Sequence, residues 1–434
     1  MTAPHIVTVP GVEPFVELGV GDSRVPVAQP GRWGQARWDA AETTWAGTEP
    51  YWLDVSCDVH AVDSYRGHDR TTDRWNVGTC TVTVSNADGW ADPTTAPTDP
   101  ALLAVRPGRP LRWGMVVDGV RRVLWRGVID AHGATYAGRL ADTDVATLSA
   151  IDALGDAGTA TVPAVDPPVG ANETATARIH RILEAAGVDP ARRRIDQANT
   201  AVVATGLGAQ VIDLLAVTAE SVGGAVYGDT DGAIVFRRQD WQVWTDTDPP
   251  AGTIGNVDGA VCPSSWEVAF NRADLVTRAI VGSADTVPIV VNDGPAQSLY
   301  GYQTGPERVD LVTVDTAMLT RVANRLVRAA GAATMPRIGA VTLDAATSTE
   351  ARDLAATVDV TGPSRYRVVL ERAGRTVFDR LMFATAVAHS WDAAGWHVRV
   401  SLDDAEPWHA AGGRWDQARW DQATWNDDLR AEAR

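Results

Sequence analysis

The chain has 434 residues, 45% of them hydrophobic and 21% charged, which is ordinary for a globular protein and long enough for about three domains. Its 38 basic and 55 acidic residues give a net charge of −17, which argues against a dedicated nucleic-acid or anionic-membrane binder, because either needs a basic face. The sequence has no apolar run of about 18 residues and no basic leader before an apolar stretch, so we expect no transmembrane helix, signal peptide or stable membrane association. All basic residues are arginine, which indicates GC-rich coding.

Tryptophan is frequent and unevenly placed, with 17 Trp against 7 Tyr and 5 Phe. The octet RWGQARWD near the N-terminus returns near the C-terminus as RWDQARWD. Within the second copy the Trp recur every five residues. This spacing does not keep the indoles on one face of a helix or of a strand, so we interpret both segments as irregular arms. The indoles either dock on another chain or plug the ends of the protein's own β domains. The candidate interaction residues are Trp33, Trp38, Trp45, Trp415, Trp420 and Trp425.

Residues 51–160 have the pattern of a small β-barrel or sandwich. From Thr79 to Val84 apolar and threonine residues alternate, which predicts a strand with one buried face. The segment Asn86-Ala87-Asp88-Gly89 predicts a turn, and Asp118-Gly119 predicts a hairpin turn between two further strands. These short strands with regular turns form the first predicted β domain.

Residues 161–336 predict an α+β region that begins with a proline-rich break at 163–170. We expect Asn172 to cap a helix that ends at Gly187, and a second helix to end at Gly223-Gly224. Asp231-Gly232 predicts another hairpin turn, and Asp315 is the expected cap of a third helix ending at Gly331.

Residues 337–407 return to a β pattern, with a predicted meander through 366–370, 377–388 and 396–402. The sequence therefore predicts a mainly β, multi-domain protein with an α+β insertion, two small β-barrel or sandwich domains and two Trp-rich terminal arms. The predicted boundaries are 1–50 for the N-terminal arm, 51–160, 161–336 and 337–407 for the domains, and 408–434 for the C-terminal tail.

Catalytic and cofactor motifs are weak. The sequence has no P-loop, G-x-S-x-G or H-E-x-x-H motif, and Gly206-Leu207-Gly208 lacks the third glycine of a dinucleotide turn. His389 and His397 lie on neighbouring predicted strands and could face each other, but a structural role is the better interpretation. We therefore predict no catalytic residue, no cofactor and no enzyme activity.

Metal and sugar sites are also poorly supported. Cys57 and His60 would point to opposite faces of a strand and have no second pair at zinc-finger spacing. Asp229-Thr230-Asp231-Gly232 begins like a calcium loop but lacks the later acidic ligand, so a hairpin turn is the better interpretation. Trp391 and Trp396 flank a turn and could stack on sugar rings, which keeps a sugar-binding module as an alternative.

Seven segments follow one another in a recognisable order along residues 50–407. They are GTCTVTVSNADGWADP (78–93), RPGRPLRWGMVVDGVRRVLWRGVID (106–130), ATLSAIDAL (146–154), RIHRILEAAGVDPARRRID (178–196), residues 209–238, QSLYG (297–301) and FATAVAHSWDAAGWHVRVSLDDAEP (383–407). Together they resemble the tail hub family of long-tailed phages, which is related in fold to the baseplate hub of contractile-tailed phages. The chain resembles a minor tail protein of a siphophage infecting actinobacteria.

The resemblance implies a homotrimeric ring at the distal end of the tail, assembled in the host cytoplasm and carried in the virion. Such a ring would bind the distal tail protein on one side and fibre or tip proteins on the other. It would close around the end of the tape-measure protein and later let DNA pass without binding it. The Trp arms depart from the simpler hub pattern, so their role as interface anchors is inferred from the residues alone.

Three alternatives remain at this stage. A cell-wall hydrolase would need a catalytic set, which the sequence does not assemble. A sugar-binding receptor module would need exposed Trp in a cleft. A non-viral injection device could use the same hub.

Overall fold

The computed structural model describes residues 12–20, 51–69, 74–94, 105–136, 144–238, 240–245, 247–269, 275–284, 286–305, 307–331, 337–360 and 364–405. The described chain is mainly β, as predicted, with 24 strands and 6 α-helices. None of its helices has the length and apolar character needed to cross a bilayer.

The first part of the described chain is a run of antiparallel strands. The alternating segment at 79–85 is a strand with Cys80, Val82 and Val84 buried, and Asp118-Gly119 forms the hairpin turn with positive φ at both residues, both as predicted. The strands are β1 (Val12–Val20), β2 (Tyr51–Asp54), β3 (Val59–Asp69), β4 (Arg74–Trp75), β5 (Thr79–Ser85), β6 (Pro110–Val117), β7 (Val120–Thr135) and β8 (Val145–Ile151).

Strand β1 lies inside the range that the sequence assigned to an N-terminal arm. It pairs with β6 along its length and with β2 at its end, where Val20 lies opposite Tyr51. Residues 21–50 therefore connect two neighbouring antiparallel strands, and the range predicted as an arm contains one strand of the sheet.

The middle region begins with α1 and is built around a small core of three helices and a hairpin. Its elements are α1 (Ala153–Gly158), β9 (Ala164–Val169), β10 (Glu173–Thr174), α2 (Ala175–Ala185), β11 (Arg193–Ile195), β12 (Ala201–Val202), β13 (Thr205–Leu207), α3 (Val211–Ser221), β14 (Ala225–Gly228) and β15 (Ile234–Arg237).

Two local predictions in this region are wrong. The cap of α2 is Thr174, whose hydroxyl accepts a hydrogen bond from the Ala177 amide, whereas Asn172 has a positive φ and lies in the preceding turn. The proline-rich segment predicted as a break forms β9, which pairs with β13. Its six residues are almost all exposed, so it has no apolar alternation that could have revealed a strand.

The next segment adds two strands to the large sheet. Strands β16 (Gly252–Gly255) and β17 (Ser265–Ala269) pair with strands of the last region, although they lie within the predicted α+β range. A separate module, residues 275–331, follows, and Asp315 caps its long helix as predicted. The module contains β18 (Arg278–Ser283), β19 (Ile289–Asn292), α4 (Gly294–Tyr300), β20 (Arg308–Leu311) and α5 (Thr316–Gly331).

The last region contains the predicted meander and one helix that the sequence analysis did not identify. That helix, α6, begins after Ser348, whose hydroxyl accepts a hydrogen bond from the Ala351 amide. The elements are β21 (Arg337–Asp344), α6 (Thr349–Thr357), β22 (Arg365–Arg372), β23 (Arg375–Asp392) and β24 (Gly395–Asp404).

The first and last β regions form one sheet with a common core. Strand β3 pairs with β23, with Gly67 opposite Ala386, and a single apolar cluster includes residues from both regions. The main strand order is β17-β21-β24-β23-β3-β5-β8-β7-β6-β1-β2, an open path with no closure into a barrel among the described strands. The two β regions are therefore parts of one continuous sheet and share one apolar core.

Candidate interaction surface

The six candidate Trp of the arms all lie outside the described residues. The structure does show where both arms join the folded body. The two ends of the segment 21–50 lie next to each other, because Val20 pairs with Tyr51. The C-terminal segment leaves from Ala405, which is buried and whose carbonyl accepts a hydrogen bond from Trp244 Nε1 at 2.8 Å. Both segments therefore start from fixed positions on the folded body.

Trp391 and Trp396 cannot serve as a sugar-stacking platform, because both are buried and lie opposite each other across the last hairpin. His389 is enclosed beside them, with its ring 5.7 Å from Trp113 and 6.1 Å from Trp396. Burial, helped by the positive charge of Arg66, lowers the pKa of His389 to about 3, so this imidazole stays neutral near pH 7.

His389 and His397, which the sequence allowed to face each other, do not do so. In the β23–β24 register, His389 lies opposite Val398 and His397 lies opposite Ser390. Directly opposed residues share a face and successive residues alternate, so the two histidines point to opposite faces of the sheet.

The other weak motifs have structural roles. Asp229 Oδ1 accepts hydrogen bonds from the Asp231 and Ala233 amides, which shapes the hairpin turn. Arg194 pairs with the carboxylates of Asp229 and Asp231, each at 2.6 Å.

The Cys57 thiol forms no disulfide. Partial burial raises its pKa, and the negative charge of Asp58 raises it further. Within the described ranges, no group of three His, Cys, Asp or Glu could hold a metal ion.

Buried ionic groups join the β sheet to the middle region. Glu220 on α3 accepts a hydrogen bond from Arg74 Nε of β4 at 2.7 Å and pairs with Arg308 Nε of β20 at 3.1 Å. Asp152, the cap of α1, accepts hydrogen bonds from the Gly155 amide and from the amide of Gly78, the residue before β5. These contacts fix the positions of the middle elements relative to the sheet.

The carboxyl of Asp152 makes stability depend on pH. Burial raises its pKa from 3.8 to about 6, against the opposing effect of the Gly155 and Gly78 hydrogen bonds. The folded state therefore binds the proton more tightly than the unfolded chain, so this contribution is fully present below pH 3.8 and is lost as pH rises through about 6.

We expect Asp152→Asn to remove this pH dependence. The difference in unfolding free energy between wild type and variant, measured by urea unfolding, should grow by about 1 kcal/mol from pH 7 to pH 5. The exposed Asp130→Asn serves as the control and should follow the wild type. A difference that stays constant across this range would contradict the assignment.

A surface that the sequence analysis missed lies on the module of residues 275–331. Six of the eleven large apolar side chains that are exposed in the described structure fall within 287–314. We call these residues the apolar patch: Val287, Val290, Leu299, Tyr302, Val309 and Val314. Exposed apolar side chains that are concentrated in one module make that module a candidate for protein contact.

Comparison with known proteins gives a match at the level of fold. No protein-family model matches the sequence, and no curated protein matches it. Among solved structures, a tail protein from Neisseria meningitidis MC58 matches 92% of this chain and 99% of its own, with a TM-score of 0.57 and 12% identity. The 43 kDa tail protein of prophage MuSo2 from Shewanella oneidensis matches 91% and 99%, with a TM-score of 0.56 and 13% identity. The chain thus has the fold of these tail proteins over almost its whole length.

Proposed function

We propose that this chain is a structural protein of a phage tail, the hub of the distal tail tip in a siphophage of an actinobacterium. The observation that carries the proposal is a fold similarity to two tail proteins that spans nearly all of both chains. The exclusive use of arginine among basic residues is consistent with a GC-rich host. The protein would be assembled in the host cytoplasm and would function at the tail tip of the virion.

A homotrimeric ring is the proposed form of the hub. A cyclic ring needs two unlike surfaces on each copy, one for each neighbour. The open ends of the sheet, β2 and β17, and the Trp arms are candidates for such surfaces. The ring would bind the distal tail protein above and fibre or tip proteins below, and would close around the end of the tape-measure protein.

The negative charge suits transient passage of DNA. A net charge of −17 gives a surface that repels phosphates, so the genome would slide through a lumen without specific binding. We propose a structural rather than an enzymatic role, since the two matched proteins are described as tail proteins.

Disruption of the gene tests this proposal against its alternatives. If the chain joins the tail tube to its tip, particles made without it should be heads that lack complete tails in electron micrographs. A sugar-binding receptor module or a tail-associated hydrolase would instead leave full-length tails that fail to adsorb or to penetrate. Complete tails in the disrupted strain would overturn the hub proposal.

A further inference from the structure

Four buried nitrogen atoms in the interior of the large sheet have no hydrogen-bond partner in the protein. They are Nε1 of Trp113, Trp125 and Trp396 and Nδ1 of His389. The three indoles belong to the apolar core that the two β regions share, and His389 contacts two of them. All four side chains are at most 4% exposed, so bulk water does not reach these nitrogens. Buried polar groups of folded proteins nearly always have a partner, so this group needs a physical explanation.

The imidazole of His389 contacts two indoles from different β regions. The centre of its ring lies 5.7 Å from that of Trp113 and 6.1 Å from that of Trp396. Trp113 belongs to β6 of the first β region, whereas His389 and Trp396 belong to β23 and β24 of the last one. These three nitrogens without partners therefore lie where β6 packs against the last hairpin.

The three groups differ in the hydrogen bonds they can form. The Nε1–H of an indole can only donate. Burial lowers the pKa of His389 to about 3, so near pH 7 its imidazole is neutral and has one nitrogen that donates and one that accepts. With the proton on Nε2, the group therefore consists of two donors and one acceptor, Nδ1. None of the three nitrogens bonds directly to another.

A water molecule fits this set of donors and acceptor. Its oxygen can accept both indole hydrogens while one of its own hydrogens bonds to Nδ1. Two hydrogen bonds of about 2.9 Å let one water join atoms up to about 5.5 Å apart. Rings whose centres are 5.7 and 6.1 Å apart have the nitrogens of their facing sides within this reach. An anion fits less well, because Arg66, the positive charge that acts on His389, is already paired with Asp359 at 2.6 Å.

We propose that the shared core binds one ordered water molecule between Trp113, His389 and Trp396. The water oxygen accepts hydrogen bonds from Nε1 of Trp113 and Nε1 of Trp396, and the water donates one hydrogen bond to Nδ1 of His389. Three hydrogen bonds to the protein are typical of a buried water. The bound water adds a directional link between β6 and the β23–β24 hairpin to the apolar packing that already joins them.

Removal of one indole N–H without a change of shape tests the site. Benzothienylalanine, which has a sulfur atom in place of the indole N–H, is introduced into the full-length chain in place of Trp113. If Nε1 of Trp113 bonds to water, the equilibrium constant for unfolding in urea should rise about fivefold, because the water loses a partner. If this nitrogen is unpaired, the same change removes the cost of a buried polar group and should lower the constant. A lowered or unchanged constant would overturn the proposal.

Trp244 provides the reference for this measurement. It is also buried, and its Nε1 donates directly to the carbonyl oxygen of Ala405 at 2.8 Å. Benzothienylalanine in place of Trp244 removes a direct indole hydrogen bond and should raise the unfolding constant by a similar factor. Opposite effects at the two positions would show that Trp113 has no such bond.

A crystal structure of the wild-type chain, at a resolution that shows ordered water, locates the site directly. We expect one peak of electron density within about 3.2 Å of all three nitrogens. The peak should weaken or disappear in the variant with benzothienylalanine in place of Trp113. A wild-type core without this peak, in which the indole N–H groups point at ring faces instead, would contradict the proposal.

Discussion

Replacement of Gly67 with alanine is expected to lower the free energy of unfolding by about 4 kcal/mol. Gly67 has a φ of 151°, a conformation that other residues rarely adopt. An added Cβ would lie 2.3 Å from Cα of Ala386 and 2.6 Å from the carbonyl oxygen of Thr385, both on β23. Backbone atoms cannot move aside as a side chain can, so β3 and β23 would have to separate. The effect would fall on the strand pair that joins the two β regions.

Gly133→Ala is a matched control for this experiment, because Gly133 also lies in a long strand but an added Cβ would meet nothing within 4 Å. Equilibrium urea unfolding should show a change of less than about 1 kcal/mol for this variant. Equal effects of the two substitutions would contradict the close contact between β3 and β23.

Glu220→Ala is expected to lower the free energy of unfolding by about 3 kcal/mol, because it removes a buried carboxylate that pairs with the buried guanidinium of Arg308. The Arg74 contact contributes less, since that side chain is 38% exposed and water can replace the carboxylate. Because Glu220 joins α3 to β4 and β20, we also expect faster amide exchange in α3 and β20.

Glu184→Ala is the control for Glu220, since both glutamates lie in the last turn of an eleven-residue helix but Glu184 is exposed. Its unfolding free energy should change by less than about 0.5 kcal/mol. A loss at Glu220 no larger than at Glu184 would show that the buried ion pairs do not hold the middle region in place.

Local patterns predicted the elements in which burial and turn chemistry agree. The strand around Val82, the hairpin at Asp118-Gly119 and the cap at Asp315 all follow from residues within one element. Strand β1 was missed because its partners come much later in the chain, β2 after residue 50 and β6 after residue 109. Its buried Glu17 also breaks the apolar pattern, and the ion pairs with Arg112 and Arg121 that make this burial possible cannot be read from the sequence.

The candidate surface was predictable only in part. The Trp repeat is visible in the sequence, and its role stays a prediction because those residues lie outside the described structure. The apolar patch could not be predicted, because only tertiary packing decides which face of β18 and β19 is covered by α5. The register of β23 and β24, which separates His389 from His397, likewise depends on the exact turn between the strands.

Gold labelling of purified particles, with an antibody raised against the recombinant chain, tests the central claim most directly. Electron microscopy should show label confined to the far end of the tail. Label that is absent from particles, or spread along the tail tube, would contradict the assignment of this chain to the hub.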